Sequence, residues 1–182
     1  ALGGVLTNAA DYNVAVGYNA SILMTAGAGN TSLGGYALQE HTTGGSNTAI
    51  GFRAMDETGA GNNGGNCTAV GANAMGGDWA QTVEQSTAIG SGALSGALNA
   101  ADYNVAVGYL AADTITTGDK NTIIGTIADT TAGSANRTAI GYDCQAVADN
   151  SVTLGDGNVT AVYMADDSGA KVLCSAVEAA SA

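Results

Sequence analysis

A five-residue phrase recurs nine times along this chain, and no other feature restricts its fold as tightly. It reads Asn13-Val14-Ala15-Val16-Gly17, then Asn30-Thr31-Ser32-Leu33-Gly34 and Asn47-Thr48-Ala49-Ile50-Gly51, and ends as Ser151-Val152-Thr153-Leu154-Gly155. The nine closing glycines lie 17, 17, 20, 19, 18, 17, 16 and 14 residues apart. Self-similarity at such a period specifies a solenoid, in which each coil of chain buries its apolar face only by stacking on the next. The repeats define one continuous array over 1–164, with 165–182 as a tail or the start of a following segment.

Within each phrase the residue before Gly is Val, Ile or Leu, and two positions earlier it is Thr or Val. These two side chains share one face of a strand, because successive side chains alternate. The position between them is usually Ala, so the opposite face is small and apolar. A strand with no strongly polar face is expected to be covered on both sides. One side packs inside its own coil, and the simplest cover for the other is a second copy of the chain.

An aromatic follows the Gly at Tyr18, Phe52, Tyr109 and Tyr142, and Leu38, Met55, Met75 and Leu94 recur four residues after it. That pattern predicts a second short strand in each coil after a bend at the Gly. Asn opens five of the phrases, where stacked amides are placed to hydrogen-bond from coil to coil. The remaining residues are Gly, Asn, Thr, Ser and Asp, which are turn formers, and their variable number lets the period vary. At about 4.8 Å per stacked strand, nine coils span roughly 40 Å. Residues 8–18 return unchanged as 99–109, eleven identical residues that indicate duplication of a block of coils.

Composition narrows the function classes. Sixteen acidic residues face four basic ones, for a net charge of -12. The clustered Lys and Arg needed to neutralise nucleic-acid phosphates or anionic membranes are therefore missing. No apolar run approaches the roughly 20 residues that cross a bilayer as a helix. The chain opens at Ala1, without Met or a signal pattern, which reads as a processed chain or a fragment. The three cysteines, Cys67, Cys144 and Cys174, lack zinc-site spacing. Cys144 takes a place where the other coils before it carry Ala and reads as a small buried residue, leaving Cys174 as the better cross-linking candidate.

Catalytic constellations are not evident. Gly59-Ala60-Gly61-Asn62-Asn63-Gly64 spells G-x-G-x-x-G but is followed by another strand rather than a helix, so no cofactor site is predicted. No calcium loop pattern occurs, and no metal site is predicted. His41, the only histidine, is expected in an exposed loop next to Glu40. Trp79, beside Asp78, is expected to be the one exposed large aromatic, and exposed Trp is enriched in binding hot spots, while plain packing over the coil edge is the simpler role for it. Trp79, Asp78 and His41 are thus the candidate receptor contacts. Sequons at Asn19, Asn30, Asn66, Asn136 and Asn158 matter only in a eukaryotic secretory setting.

The phrases N-T-A-I-G, N-V-A-V-G-Y-N-A and N-T-S-L-G-G-Y-A-L resemble the β-roll heads of trimeric autotransporter adhesins and the similar repeats of phage tail fibres. The stretch 150–164 is similar to the segment that often closes such arrays ahead of a self-cleaving trimerisation chaperone. The resemblance covers about residues 8–164. It implies an all-β, left-handed parallel β-roll or β-solenoid of about nine coils, with three chains about a common axis. It further implies a non-enzymatic adhesive fibre segment on a cell or virion surface, meeting a receptor or glycan through its loops.

Three other readings stay open. A subunit of an extracellular filament would continue its coils from one chain to the next by strand addition. An ice-binding solenoid needs a flat, regular Thr array, whereas one Thr per coil beside a large aliphatic reads as core edge. A carbohydrate-active β-helix needs paired catalytic groups, for which Lys, Arg and His are too few.

Overall fold

The computed structural model describes residues 12–56 and 64–162. Each of the nine phrases forms a three-residue strand: β1 Val14–Val16, β2 Thr31–Leu33, β3 Thr48–Ile50, β4 Thr68–Val70, β5 Thr87–Ile89, β6 Val105–Val107, β7 Thr122–Ile124, β8 Thr138–Ile140 and β9 Val152–Leu154. They form one parallel sheet in sequence order. Every strand pairs in the same register, so Thr31 lies beside Thr48, Ser32 beside Ala49 and Leu33 beside Ile50. No helix is present among the described residues. This is a β-solenoid with one strand per coil, numbered below by its strand.

The glycine that ends each strand is dictated by the stacking. Gly51 has φ +139°, and a Cβ there would collide with the carbonyl oxygen of Gly71 one coil on. Seven other closing glycines, Gly17, Gly34, Gly71, Gly90, Gly108, Gly125 and Gly141, share this backbone conformation. Neighbouring backbones meet at a corner that has no room for a side chain.

The chain does not form the expected second strand. Leu38, Met55, Met75 and Leu94 lie in turns with φ of 51°, 52°, 49° and 51°, the left-handed region. The turns stack all the same, because Leu38 N–H donates to Ala54 O at 3.0 Å and Met55 N–H to Ala74 O at 3.0 Å. Left-handed backbone is unfavourable for such side chains. Each of these side chains is nevertheless fully buried. Burial of a Leu or Met contributes roughly 2 kcal/mol, enough to offset that cost.

The inward position of most strands is small, although β7 places Ile123 there. Ala49, Ala69, Ala88, Ala106 and Ala139, the middle residues of their strands, point inward and are fully buried. So are Ala20, Ala37, Ala54, Ala74, Ala93, Ala111 and, in the same place, Cys144. Cys144 is thus the small core residue that its position predicts.

The expected amide ladder is present. Asn13 Oδ1 accepts from Asn30 N–H at 2.8 Å, Asn30 Oδ1 from Asn47 N–H at 2.9 Å, and Asn47 Oδ1 from Cys67 N–H at 3.0 Å. The other end of each amide donates to a glycine carbonyl, Asn30 to Gly44 at 2.9 Å and Asn47 to Gly64 at 3.0 Å. Cys67 and Ser86 interrupt the ladder. It resumes where Asn104 Oδ1 accepts from Asn121 N–H at 2.9 Å. Backbone groups that a bare turn would leave buried without partners are satisfied in this way.

Candidate functional site: the outward face of the strand ladder

Each strand turns its middle residue inward, so its first and third residues face outward. Across the sheet the first residues form one column, Thr in β2 to β5, β7 and β8 and Val in β1, β6 and β9. The third residues form a second column that is Val, Leu or Ile throughout. The Thr column had been expected at the core edge. It lies instead on the outer surface, half-buried, because Ala already fills the inside of the coil.

Six of the nine residues of the aliphatic column are exposed in the single chain, and Ile50, Val70 and Val107 are half-buried. Leu33 keeps 47% of its surface, Ile89 42% and Ile140 42%. With the columns one strand apart in a fixed register, these side chains form a continuous apolar strip the length of the sheet. Nine strands at about 4.8 Å and three residues of width give a face of roughly 40 by 10 Å. Contiguous apolar surface of this size marks an interaction site on a folded chain.

Aromatic residues border the strip. Tyr18 and Tyr36 meet edge to face with centroids 5.3 Å apart, and Tyr36 and Phe52 do so at 5.8 Å. Arg53 sits 5.7 Å from both the Tyr36 and Phe52 rings, with Nε 3.4 Å from Asp56 Oδ2. On the opposite border, where the chain enters each strand, lies a column of left-handed corner residues that includes Tyr12, Ser46, Gln85, Tyr103 and Lys120. Aliphatic centre, aromatic and Arg margin and polar rim are the arrangement of a protein–protein interface.

Two of the three residues expected to contact a receptor are not on the surface. Trp79 is buried, since the loop before β5 folds inward and Ala80 N–H is held by Leu98 O at 2.8 Å. His41 is fully buried, its Nε2 3.0 Å from Asn47 Nδ2. An amide nitrogen only donates, so Nε2 accepts and the neutral ring carries its proton on Nδ1. Burial depresses the His41 pKa to about 4, opposed by backbone hydrogen bonds at Gly44 and Gly64. The Trp79 ring stands nearly perpendicular to it, centroids 6.4 Å apart. The longer loops allow these large rings to fold into the coil, which their length alone did not reveal. Of the three candidates only Asp78 is exposed.

Other sequence candidates fall as follows. Cys67 and Cys144 are free and buried, and burial pushes the Cys67 thiol up to about 11, away from reactive thiolate. Asn30 is buried within the amide ladder, whereas Asn66 and Asn136 are exposed at strand-entry corners. Most of the G-x-G-x-x-G stretch, and Cys174, lie outside the described residues. No group of three or more His, Cys, Asp or Glu is arranged to hold a metal among the described residues. One concavity, at the last coil, is lined by Asp143, Gln145, Thr153, Leu154 and Asp156. No family model, curated protein or solved structure matches the chain.

Proposed function

We propose that this chain is a structural and adhesive fibre segment that assembles as a homotrimer through its outward strand face. The observation that carries the reading is the unbroken apolar strip along the sheet, too regular and too large for a face turned permanently to water. A second copy is the natural cover. It offers the same length and the same spacing between coils, and a strip without Lys, Arg, Asp or Glu in either column meets no charge repulsion when paired with itself. The strand face of each protomer covers roughly 400 Å², and the aromatic side chains on its border widen the surface that a second copy can cover. Closed cyclic symmetry would bury every strip about one axis and leave the loops outside for a receptor or glycan, on a cell or virion surface. Exposed Asp78 is the remaining loop contact from the sequence reading.

Light scattering on the eluting protein, with negative-stain images of the same fractions, tests this reading. Three chains, about 53 kDa, are expected for a closed ring, and replacing Ile50, Val70 and Ile89 together with Asp should give monomers. A triple variant that still assembles would remove the strip from the interface. Long rods with an axial repeat would make the chain a filament subunit. A second reading, ice binding, rests on the outward placement of the regular Thr column. It predicts a stable monomer that slows ice growth, and loses that property when Thr48, Thr68 and Thr87 become Val.

A further inference from the structure

One coil buries a carboxylate where earlier coils bury hydrocarbon. Four residues after the closing glycine, the coils of β2 to β5 place Leu38, Met55, Met75 and Leu94 in the core. The same position in the coil of β7 is Asp129, which keeps only 8% of its surface. Acidic side chains are almost never buried to this extent unless they are paired. Asp129 Oδ1 nevertheless has no hydrogen-bond partner among the described residues. The backbone at this place is held by the next coil, because Asp129 N–H donates to Cys144 O and Ala146 N–H to Asp129 O, both at 2.9 Å.

Two further side chains bring oxygen to the same place. Asp113, from the coil before, lies within hydrogen-bonding reach of the Asp129 carboxylate. Gln145, from the coil after, pairs with Asp129 in a parallel bridge, so the two side chains leave the backbone on the same side. Gln145 Nε2 donates to Asp143 Oδ1 at 3.5 Å, which leaves Oε1 as the oxygen available to a ligand. Basic side chains do not balance the two carboxylates. The ion pairs among the described residues are Arg53 with Asp56 and Arg137 with Asp149. Arg137 reaches the neighbouring Thr130, but donates there to Thr130 Oγ1 and Ala146 O. Burial, and with it the charge of Asp113, pushes the Asp129 carboxyl above its ordinary value, opposed by hydrogen bonds from Thr130 and Thr114. Two carboxylates in contact, one of them out of water, call for a positive charge between them.

We infer that Asp113, Asp129 and Gln145 form a site for a hard divalent cation, calcium in preference to magnesium, that ties together the coils of β6, β7 and β8. All three donors are oxygens, and calcium takes six to eight oxygen ligands in flexible geometry, with water in the remaining places. Magnesium demands a near-octahedral set and sheds water reluctantly, which a cleft with three protein donors suits less well. Asp113 is half-buried and Gln145 exposed, so an ion has a path from solvent to the buried Oδ1. The site lies in the turns that follow the strands, outside the two outward columns, and is independent of the assembly proposed above.

Thermal unfolding of the whole chain, followed by circular dichroism, tests the site. The protein is compared in EDTA and in about 10 mM CaCl2 at neutral pH, with NaCl matching the ionic strength so that screening of the acidic surface cancels. A saturable rise in midpoint of roughly 3–6 °C is expected, the size that one site of millimolar affinity produces. Titration calorimetry should count one ion per chain. Asp129→Asn and, separately, Asp113→Asn should abolish the rise, yet melt no lower than the parent in EDTA, because each relieves the repulsion between the carboxylates. An aspartate needed only for the fold would instead lower that midpoint. Gln145→Ala, at an exposed position, leaves the coil intact and should weaken calcium binding several-fold. A parent midpoint indifferent to calcium overturns the site, and a stability that then rises on acidification, and does so less in the Asn variants, would mean that the two carboxylates share a proton. Asn variants that keep the full rise, or Gln145→Ala with unchanged affinity, place the ion elsewhere and overturn the assignment as well.

Discussion

The two faces of the same three-residue strands obey different rules. On the inner face Ala49, Ala69 and Ala88 are fully buried, and the neighbouring coil admits nothing larger in most strands. On the outer face Thr and large aliphatics alternate in columns with much of their surface still open. The inner face is settled within one chain, because its neighbours there are the residues of that chain's own coils. The outer face is under no such limit, and the assembly proposed above is what would give its sequence a reason. On the proposed assembly, stability of the coil and choice of partner lie on opposite sides of one strand.

The comparison breaks most sharply at the corner itself. Gly51→Ala puts a Cβ against the Gly71 carbonyl in a backbone conformation reserved for glycine. A loss above about 4 kcal/mol is expected, which for many single domains abolishes folding. Thermal unfolding followed by circular dichroism measures it, and a fully folded variant with an unchanged midpoint would mean that neighbouring coils can separate at this corner. Next in size is Trp79→Ala, which empties the largest buried side chain of the described interior. The expected loss is about 3–5 kcal/mol in urea unfolding. A change within about 0.5 kcal/mol, the range of surface substitutions, would return Trp79 to the outside and revive it as a receptor contact.

The strands and their register were legible because a phrase repeated nine times leaves little choice. The amide ladder followed from the recurrence of Asn at one place. The turns were harder to read. Leu38, Met55, Met75 and Leu94 recur as a strand residue would, yet each is a left-handed turn residue, and side-chain periodicity cannot distinguish two stacked conformations that both aim inward. His41 and Trp79 were placed outside because large or polar residues in long loops usually are. What moved them in was space between coils of unequal length, together with Asn47, whose amide gives His41 a partner. The Thr column was misplaced for a similar reason. Alternation puts Thr and the aliphatic on one face and Ala on the other, but it leaves open which face is inside, and the structure buries Ala.

The third prediction concerns pH and sets interior against exterior again. Free imidazole takes up a proton near 6.5, whereas burial holds the His41 ring unprotonated down to about 4. Between these values the unfolded chain binds more protons than the folded one. His41 therefore favours folding fully above 6.5, and that contribution falls as the pH drops towards 4, by about 3 kcal/mol. Met24 holds the equivalent place one coil earlier, against Asn30 as His41 is against Asn47. His41→Met should therefore flatten urea stability between pH 6.5 and 4. An equal slope in the variant would assign the pH dependence to other groups.

The smallest effect is the most informative about the outer face. Ile89→Thr alters an outward side chain that keeps 42% of its surface in the single chain. Its cost to the coil should stay within about 0.5 kcal/mol, as for surface substitutions generally. In the proposed trimer its cost to assembly should be larger, because the same change repeats once in every chain and would place three hydroxyls in one layer of the apolar column. Unfolding of the isolated protomer and dilution of the assembled species measure the two separately. The two faces are independent if dilution dissociates the variant at a concentration at least tenfold higher than the parent while the protomer unfolds at an unchanged midpoint. A protomer that loses stability in proportion would show that the outer column already supports the single coil, and the division of labour between the faces would have to be given up.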